Sequence, residues 1–134
     1  MNQATIEFIR QWLFKANEDI FVVEKLTEKE INATSSACFH CQQAVEKFLK
    51  AFLIANKIEI IKTHNIEFLL SECSDIDHDF AEIDPKELSD FGVDARYPGD
   101  IYIPDEKETL FYKKIALDVK DLVENKINKI LNLQ

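Results

Sequence analysis

The stretch that most limits what this chain can fold into is Ser35 to Asn56, SSACFHCQQAVEKFLKAFLIAN, 22 residues with neither Pro nor Gly. At a helical period Cys38, Cys41, Val45, Phe48 and Phe52 share one stripe, at intervals of 3, 4, 3 and 4. Thr34 or Ser35 stands at its start as a candidate N-cap. The opposite side carries Gln43, Lys47 and Lys50, with Phe39 and Ile54 among them. A helix with a full apolar stripe and bulky apolar residues on its far side has to be covered from more than one direction. The spacing therefore predicts a central helix, whose polar stripe lines a cleft or whose far side meets another subunit.

The neighbouring segments supply the cover. From about Ala4 to Lys25, Ile6, Ile9, Leu13, Ala16, Ile20 and Val23 make a heptad-like stripe, and Phe14 and Phe21 make a second, narrower one well away from it. Lys15 and Asp19 are spaced as an i, i+4 pair on the polar side. The surplus Phe14/Phe21 surface favours self-association. After the central helix, Ile58, Ile60 and Ile61 read as an apolar linker packing back onto the bundle. Thr63 or Asn65 caps a short helix from Ile66 to about Cys73, and Asp84-Pro85 opens another that reaches about Phe91 before Gly92. Val93 to Ile103 is non-helical, with a tight turn at Pro98-Gly99. Pro104-Asp105 then opens a last helix to about Asn132, with Tyr112, Ala116, Val119, Val123, Ile127 and Ile130 along one side. The expected fold is an all-α, up-and-down bundle of four to five helices, three long and two short, in one domain spanning residues 1–134.

Composition narrows the class of protein. Of the 134 residues, 46% are hydrophobic and 31% charged, which suits a globular domain, and two Gly and three Pro are too few for a turn-rich β fold. No apolar run approaches the ~20 residues that span a bilayer. Three cysteines with no secretory leader suit a reducing interior, so a cytoplasmic location is expected. A net charge of −9 repels nucleic acid at long range and argues against non-specific duplex DNA binding. The charge is uneven: Lys47, Lys50, Lys57 and Lys62 cluster in one stretch, whereas Glu72 to Asp90 carries eight acids against one lysine, Lys86.

Sequence motifs for chemistry are sparse. Cys38-Phe-His-Cys41 is a C-x-x-C, but it falls mid-helix on the apolar stripe, where small buried thiols serve as core residues. Asp75, Asp77 and Asp79 imitate the start of a calcium loop, yet Phe80 and Lys86 occupy the positions that need Gly and a bidentate Glu. No metal site, cofactor or catalytic set is assigned. The concentration of polar residues suited to a ligand is Gln43, Lys47, Lys50, His64, Arg96 and Tyr97: lysines on a helix for a phosphate, and a guanidinium beside an aromatic for a base.

Several segments, taken together and in order, resemble the HEPN (higher-eukaryote and prokaryote nucleotide-binding) domain. They are Trp12, Ala16 and Asp19; Cys38-Phe-His-Cys-Gln-Gln-Ala-Val-Glu-Lys-Phe-Leu-Lys-Ala51; Thr63-His64 leading into Leu69-Leu70; and Ala95-Arg96-Tyr97-Pro98-Gly99. The resemblance implies a four- to five-helix bundle, usually a homodimer, and for some members a ribonuclease toxin neutralised by a minimal nucleotidyltransferase. Such nucleases carry an Arg followed after four to six residues by a His. Here no His follows Arg96 through Ile103, nor does one follow Arg10 at that spacing. The expected function is therefore a non-catalytic module that binds a nucleotide, RNA or a partner, paired with a nucleotidyltransferase. The alternatives are a toxin–antitoxin ribonuclease with a displaced His, and a structural adaptor that joins proteins through its Phe14/Phe21 or Phe39/Ile54 surface.

Overall fold

The computed structural model describes residues 1–92 and 102–132. Four α-helices run in the order α1 (Gln3–Leu26), α2 (Thr34–Ala55), α3 (Ile66–Ile76) and α4 (Glu106–Asn132), with 3-10 turns at His78–Glu82 and Leu88–Phe91 between the last two. No strand occurs among the described residues. The all-α bundle expected from the spacing is thus present, with three long helices.

Helix α2 is the axis. It packs against α1, α3, α4 and the Leu88–Phe91 turn. From Ala44 to Ala55 only Lys47 is not buried. The cover comes from the expected stripes: Ile9, Ala16, Ile20 and Val23 of α1, and Tyr112, Ala116, Val119, Val123 and Ile127 of α4. Leu69, Leu70 and Cys73 of α3 close a third side. The far side of α2 is also largely covered within the chain, Ile54 being buried and Phe39 half-buried.

The helix ends differ from expectation in instructive ways. Neither Thr34 nor Ser35 caps α2; the N-cap is Ala33, which makes no side-chain cap bond. The preceding turn is fixed instead by Asn32 at φ 45° and by the Ala33 N–H donating to Leu26 C=O at 2.9 Å. Helix α3 runs one turn past Cys73, to Ile76. The acidic stretch beyond it forms a 3-10 turn because Phe80 is buried against Phe52, ring centroids 4.5 Å apart, with Asp77 capping the turn through the Asp79 N–H. Asp77 and Asp79 both pair with Lys126 of α4, at 2.8 and 2.6 Å, so these acids are tied to the fold. The helix expected after Pro85 is only the short 3-10 turn Leu88–Phe91. The isoleucine linker does not pack back as a unit either: Ile58 and Ile60 are exposed, and only Ile61 rests on the core.

At its C-terminus α2 closes with a double wrap. The Lys57 N–H donates to Ile54 C=O and the Ile58 N–H to Leu53 C=O, both at 3.0 Å. This geometry puts Lys57 at φ 66°, a region glycine enters freely and a Cβ-bearing residue enters at a cost of about 1–2 kcal/mol. Glycine gives back part of that in unfolded-state entropy. Lys57→Gly is therefore expected to stabilise the protein by about 0.5–1 kcal/mol, read as a higher urea midpoint at unchanged slope.

Candidate functional site

Because α2 is enclosed nearly all round, its polar residues have to find partners inside the protein. Gln42, Glu46 and Lys50 are spaced four apart and lie on one line of the helix. All three are buried, at 0%, 5% and 6% exposure. Glu46 is the hub. Its Oε2 accepts from Lys50 Nζ at 3.0 Å, and its Oε1 accepts from Gln42 Nε2 at 3.3 Å and from His64 Nδ1 at 2.8 Å. Gln42 Nε2 also donates to His64 C=O at 3.1 Å, and Gln42 Oε1 accepts from Gln43 Nε2 at 2.7 Å. Lys50 Nζ lies over the Trp12 ring, 5.8 Å from its centroid, which adds a cation–π contact from α1. A buried charge is tolerable only with such complete pairing.

A second set sits further round the same helix. Asp19 of α1 is buried; its Oδ1 meets His40 Nδ1 at 2.8 Å and its Oδ2 accepts from Lys47 Nζ at 2.5 Å. The i, i+4 pairing of Asp19 with Lys15 expected from spacing does not form: Lys15 pairs with exposed Glu18 instead. Tertiary partners on α2 outcompete a solvated neighbour, because a buried carboxylate gains more from a nearby cation than an exposed one does.

The expected ligand residues are therefore sorted by depth. Gln43 and Lys47 are half-buried, and His64 is exposed over 48% of its side chain. The reading of Lys50 as part of an open polar stripe needs correction: it is interior, and it serves Glu46 and Trp12. Gln43, Lys50 and His64 join one network through Gln42 and Glu46, whereas Lys47 belongs to the Asp19 set and also walls a recess on α1 of about 560 Å³. Arg96 and Tyr97 lie outside the described residues. Sequence spacing overlooked Gln42, Glu46, Asp19 and His40. The available signal was the Gln42-x3-Glu46-x3-Lys50 series on a helix that is apolar on more than one side.

The arrangement has a definite chemistry. Glu46 accepts from Nδ1 of His64, so a buried carboxylate fixes the plane of a surface imidazole, which is how proteins orient a histidine for proton transfer or anion contact. The Gln42 amide that holds the His64 carbonyl also lies against Gly92. Gly92 ends the Leu88–Phe91 turn with its Cα close over the Gln42 amide, a Cβ there meeting Gln42 Cδ and Nε2 at 3.3 Å. Ser89 anchors the same turn by accepting from the Ile66 N–H at 2.9 Å and donating to Glu67 at 2.8 Å. On the other side of that turn a smaller recess is walled by Glu87, Asp90 and Glu108, and there the phenol of Tyr102 donates to Glu108 at 2.6 Å. That bond, with desolvation and the nearby acids, pushes the Tyr102 phenol up to about 12. An anionic ligand is disfavoured in that recess.

The cysteines are core. Cys38 donates to Thr109 Oγ1 and Cys73 to Leu49 C=O, each at 3.8 Å. Burial, with the nearby Cys38, pushes the Cys41 thiol far above its ordinary range, and burial raises Cys73 to about 12. Among the described residues no group of three His, Cys, Asp or Glu side chains is arranged to hold a metal ion, and no helix is long and apolar enough to cross a membrane.

A family model described as "HEPN domain" matches residues 9–127, which is most of the chain. Neither the curated proteins nor the solved structures yield a match.

The close seat of Gly92 on Gln42 gives a test of the network. The Gly92 φ of −73° suits any residue, so only space matters. Gln42 is held by three hydrogen bonds and cannot retreat freely. Gly92→Ala is expected to destabilise by about 1 kcal/mol, within the range for overpacking, and thermal unfolding would register it as a lower Tm.

Proposed function

The chain belongs to the HEPN family, and on that premise we propose that it is a helical binding module whose His64 edge receives the phosphate of a nucleotide or of RNA. The observation that carries this reading is the His64–Glu46 pair, a surface imidazole oriented by a buried carboxylate. Arg96 follows Gly92 by four residues in the chain, and it is the guanidinium proposed to share the ligand with His64. Gln43, Lys47 and Tyr97 complete the proposed ligand surface, and Lys50 stands behind Glu46 as its counter-charge. Arg and His are the side chains best suited to phosphate at close range in a chain whose net charge opposes polyanions at long range. The proposed protein is a cytoplasmic homodimer occupying residues 1–134 as one domain, and a minimal nucleotidyltransferase is the partner that its likeness to paired members of the family suggests.

A non-catalytic role is preferred because no His follows Arg96 at the spacing of the nuclease motif. One feature favours a second reading. A carboxylate–imidazole pair is also the core of a general acid–base set, so His64 is the residue that a displaced-histidine ribonuclease would use.

Titration calorimetry with ATP separates these readings. Wild type is expected to give binding heat that weakens at least tenfold in Arg96→Ala and in His64→Asn, with helical circular dichroism unchanged. No heat at millimolar nucleotide and no retention of single-stranded RNA would contradict the ligand reading. Metal-independent cleavage of that RNA, abolished by His64→Asn, would establish the ribonuclease in its place.

A further inference from the structure

The recess beside α1 is a different kind of surface from the His64 edge. Its rings are Phe8, Trp12 and Phe14; around them stand Arg10, Lys15 and Lys47 against one acid, Glu7, and Gln11 completes the wall. A net positive, aromatic-lined recess stands out in a chain of net charge −9. Its volume of about 560 Å³ lies in the range of small-molecule sites. Phe8 and Phe14 are 41% and 63% exposed, so apolar surface is open to an occupant. Trp12 is fixed by two neighbours: Phe8 meets its ring edge-on at 6.2 Å, and Lys50 Nζ lies 5.8 Å from its centroid. The Glu46 network therefore holds one wall of the recess in place.

The charges are ordered along the helix. Glu7 stands at one end, and Lys15, about two turns on, stands at the other with Lys47, which Asp19 holds there. The two ends are about 12 Å apart at 1.5 Å per residue. Lys47 is committed to buried Asp19, but Lys15 touches only Glu18, at 3.5 Å with both side chains exposed, a contact readily exchanged. Arg10 pairs with no acid among the described residues. Two cations are thus available to an incoming anion.

We propose that this recess binds a linear amphiphilic anion of the medium-chain fatty acid class, its carboxylate at the Lys15–Lys47 end and its chain laid along Trp12 and Phe8 toward Glu7. Arg10, midway, adds to the field that favours an anion, and Glu7 repels the head from the far end, so the direction is set by charge. The apolar rings take the chain, whose burial supplies the affinity. A compact ring system would fill only one end of a recess of this length. The site shares Lys47 with the proposed nucleotide surface and is otherwise separate from it.

Trp12 is the only tryptophan in the chain, so its emission reports directly on the recess. Titration with decanoate is expected to give a saturable change in that emission, with helical circular dichroism retained. A buried methylene is worth about fourfold in affinity, so octanoate, two methylenes shorter, is expected to bind roughly 5- to 15-fold more weakly. Decylamine, with the same chain and the opposite charge, is expected to bind at least ~10-fold more weakly than decanoate. Arg10 and Lys15 are exposed, so a double variant, Arg10→Gln with Lys15→Gln, is expected to fold and to lose at least ~5-fold in decanoate affinity. No emission change at millimolar decanoate, equal affinity for decylamine, or an affinity indifferent to the double substitution would overturn the site. An emission change that comes with loss of helix would also overturn it. So would a wild-type dimer in sedimentation that Phe14→Ser dissolves and decanoate does not, because the recess would then belong to a second copy.

Discussion

The arrangement depends on one buried carboxylate. Glu46 lies at the middle of the most enclosed helix and is surrounded by an amide, an ammonium and an imidazole. Alone, an ionised carboxylate at that depth would be prohibitively unfavourable. With Gln42 and Lys50 one turn to either side it becomes a connector, because each partner brings a different part of the fold. Lys50 brings the Trp12 ring of α1, His64 brings the segment that leads into α3, and Gln42 brings the Gly92 end of the Leu88–Phe91 turn. The surface imidazole is therefore placed by the same contacts that place the helices.

Asp19 repeats the device at a shallower level. It gathers His40 and Lys47 of α2 onto α1, so the α1–α2 interface holds an ionic anchor within its apolar stripes. Whether such networks add net stability or chiefly fix which helix faces which is system-dependent, and apolar replacements elsewhere have proved as stable. Here the geometry favours alignment as the larger effect: both carboxylates are satisfied only when α1, α2 and the His64 segment are in one register.

Much of the fold was legible because the apolar spacing persists over many turns. The stripes from Ile9 to Val23, Cys38 to Phe52 and Tyr112 to Ile127 are the ones the core uses. Local ends were less legible. Asn32 in a left-handed conformation sets the start of α2 where a Thr or Ser cap was expected, and burial of Phe80 folds an acidic run that reads as a loop. The site was legible only in part. Lys47 and His64 are polar on inspection, whereas Lys50, Gln42 and Glu46 look like surface residues until one sees that their line of α2 is covered by the rest of the fold. Asp19 was assigned to Lys15 by helical spacing, and only tertiary packing could redirect it to His40 and Lys47. Family membership spans residues 9–127, yet it leaves the ligand open, since function resides in the side chains a fold presents.

The central claim is that Glu46 and Lys50 act as one unit with what surrounds them, and a double-mutant cycle on unfolding free energy tests it most directly. Glu46→Gln, Lys50→Met and the double variant are unfolded in urea alongside wild type. The account predicts that either single change leaves its partner buried without a counter-charge, costing about 3 kcal/mol, and that the double change costs less than their sum by at least ~2 kcal/mol. Losses that add to within ~0.5 kcal/mol would mean that the two charges are independent, and would contradict it.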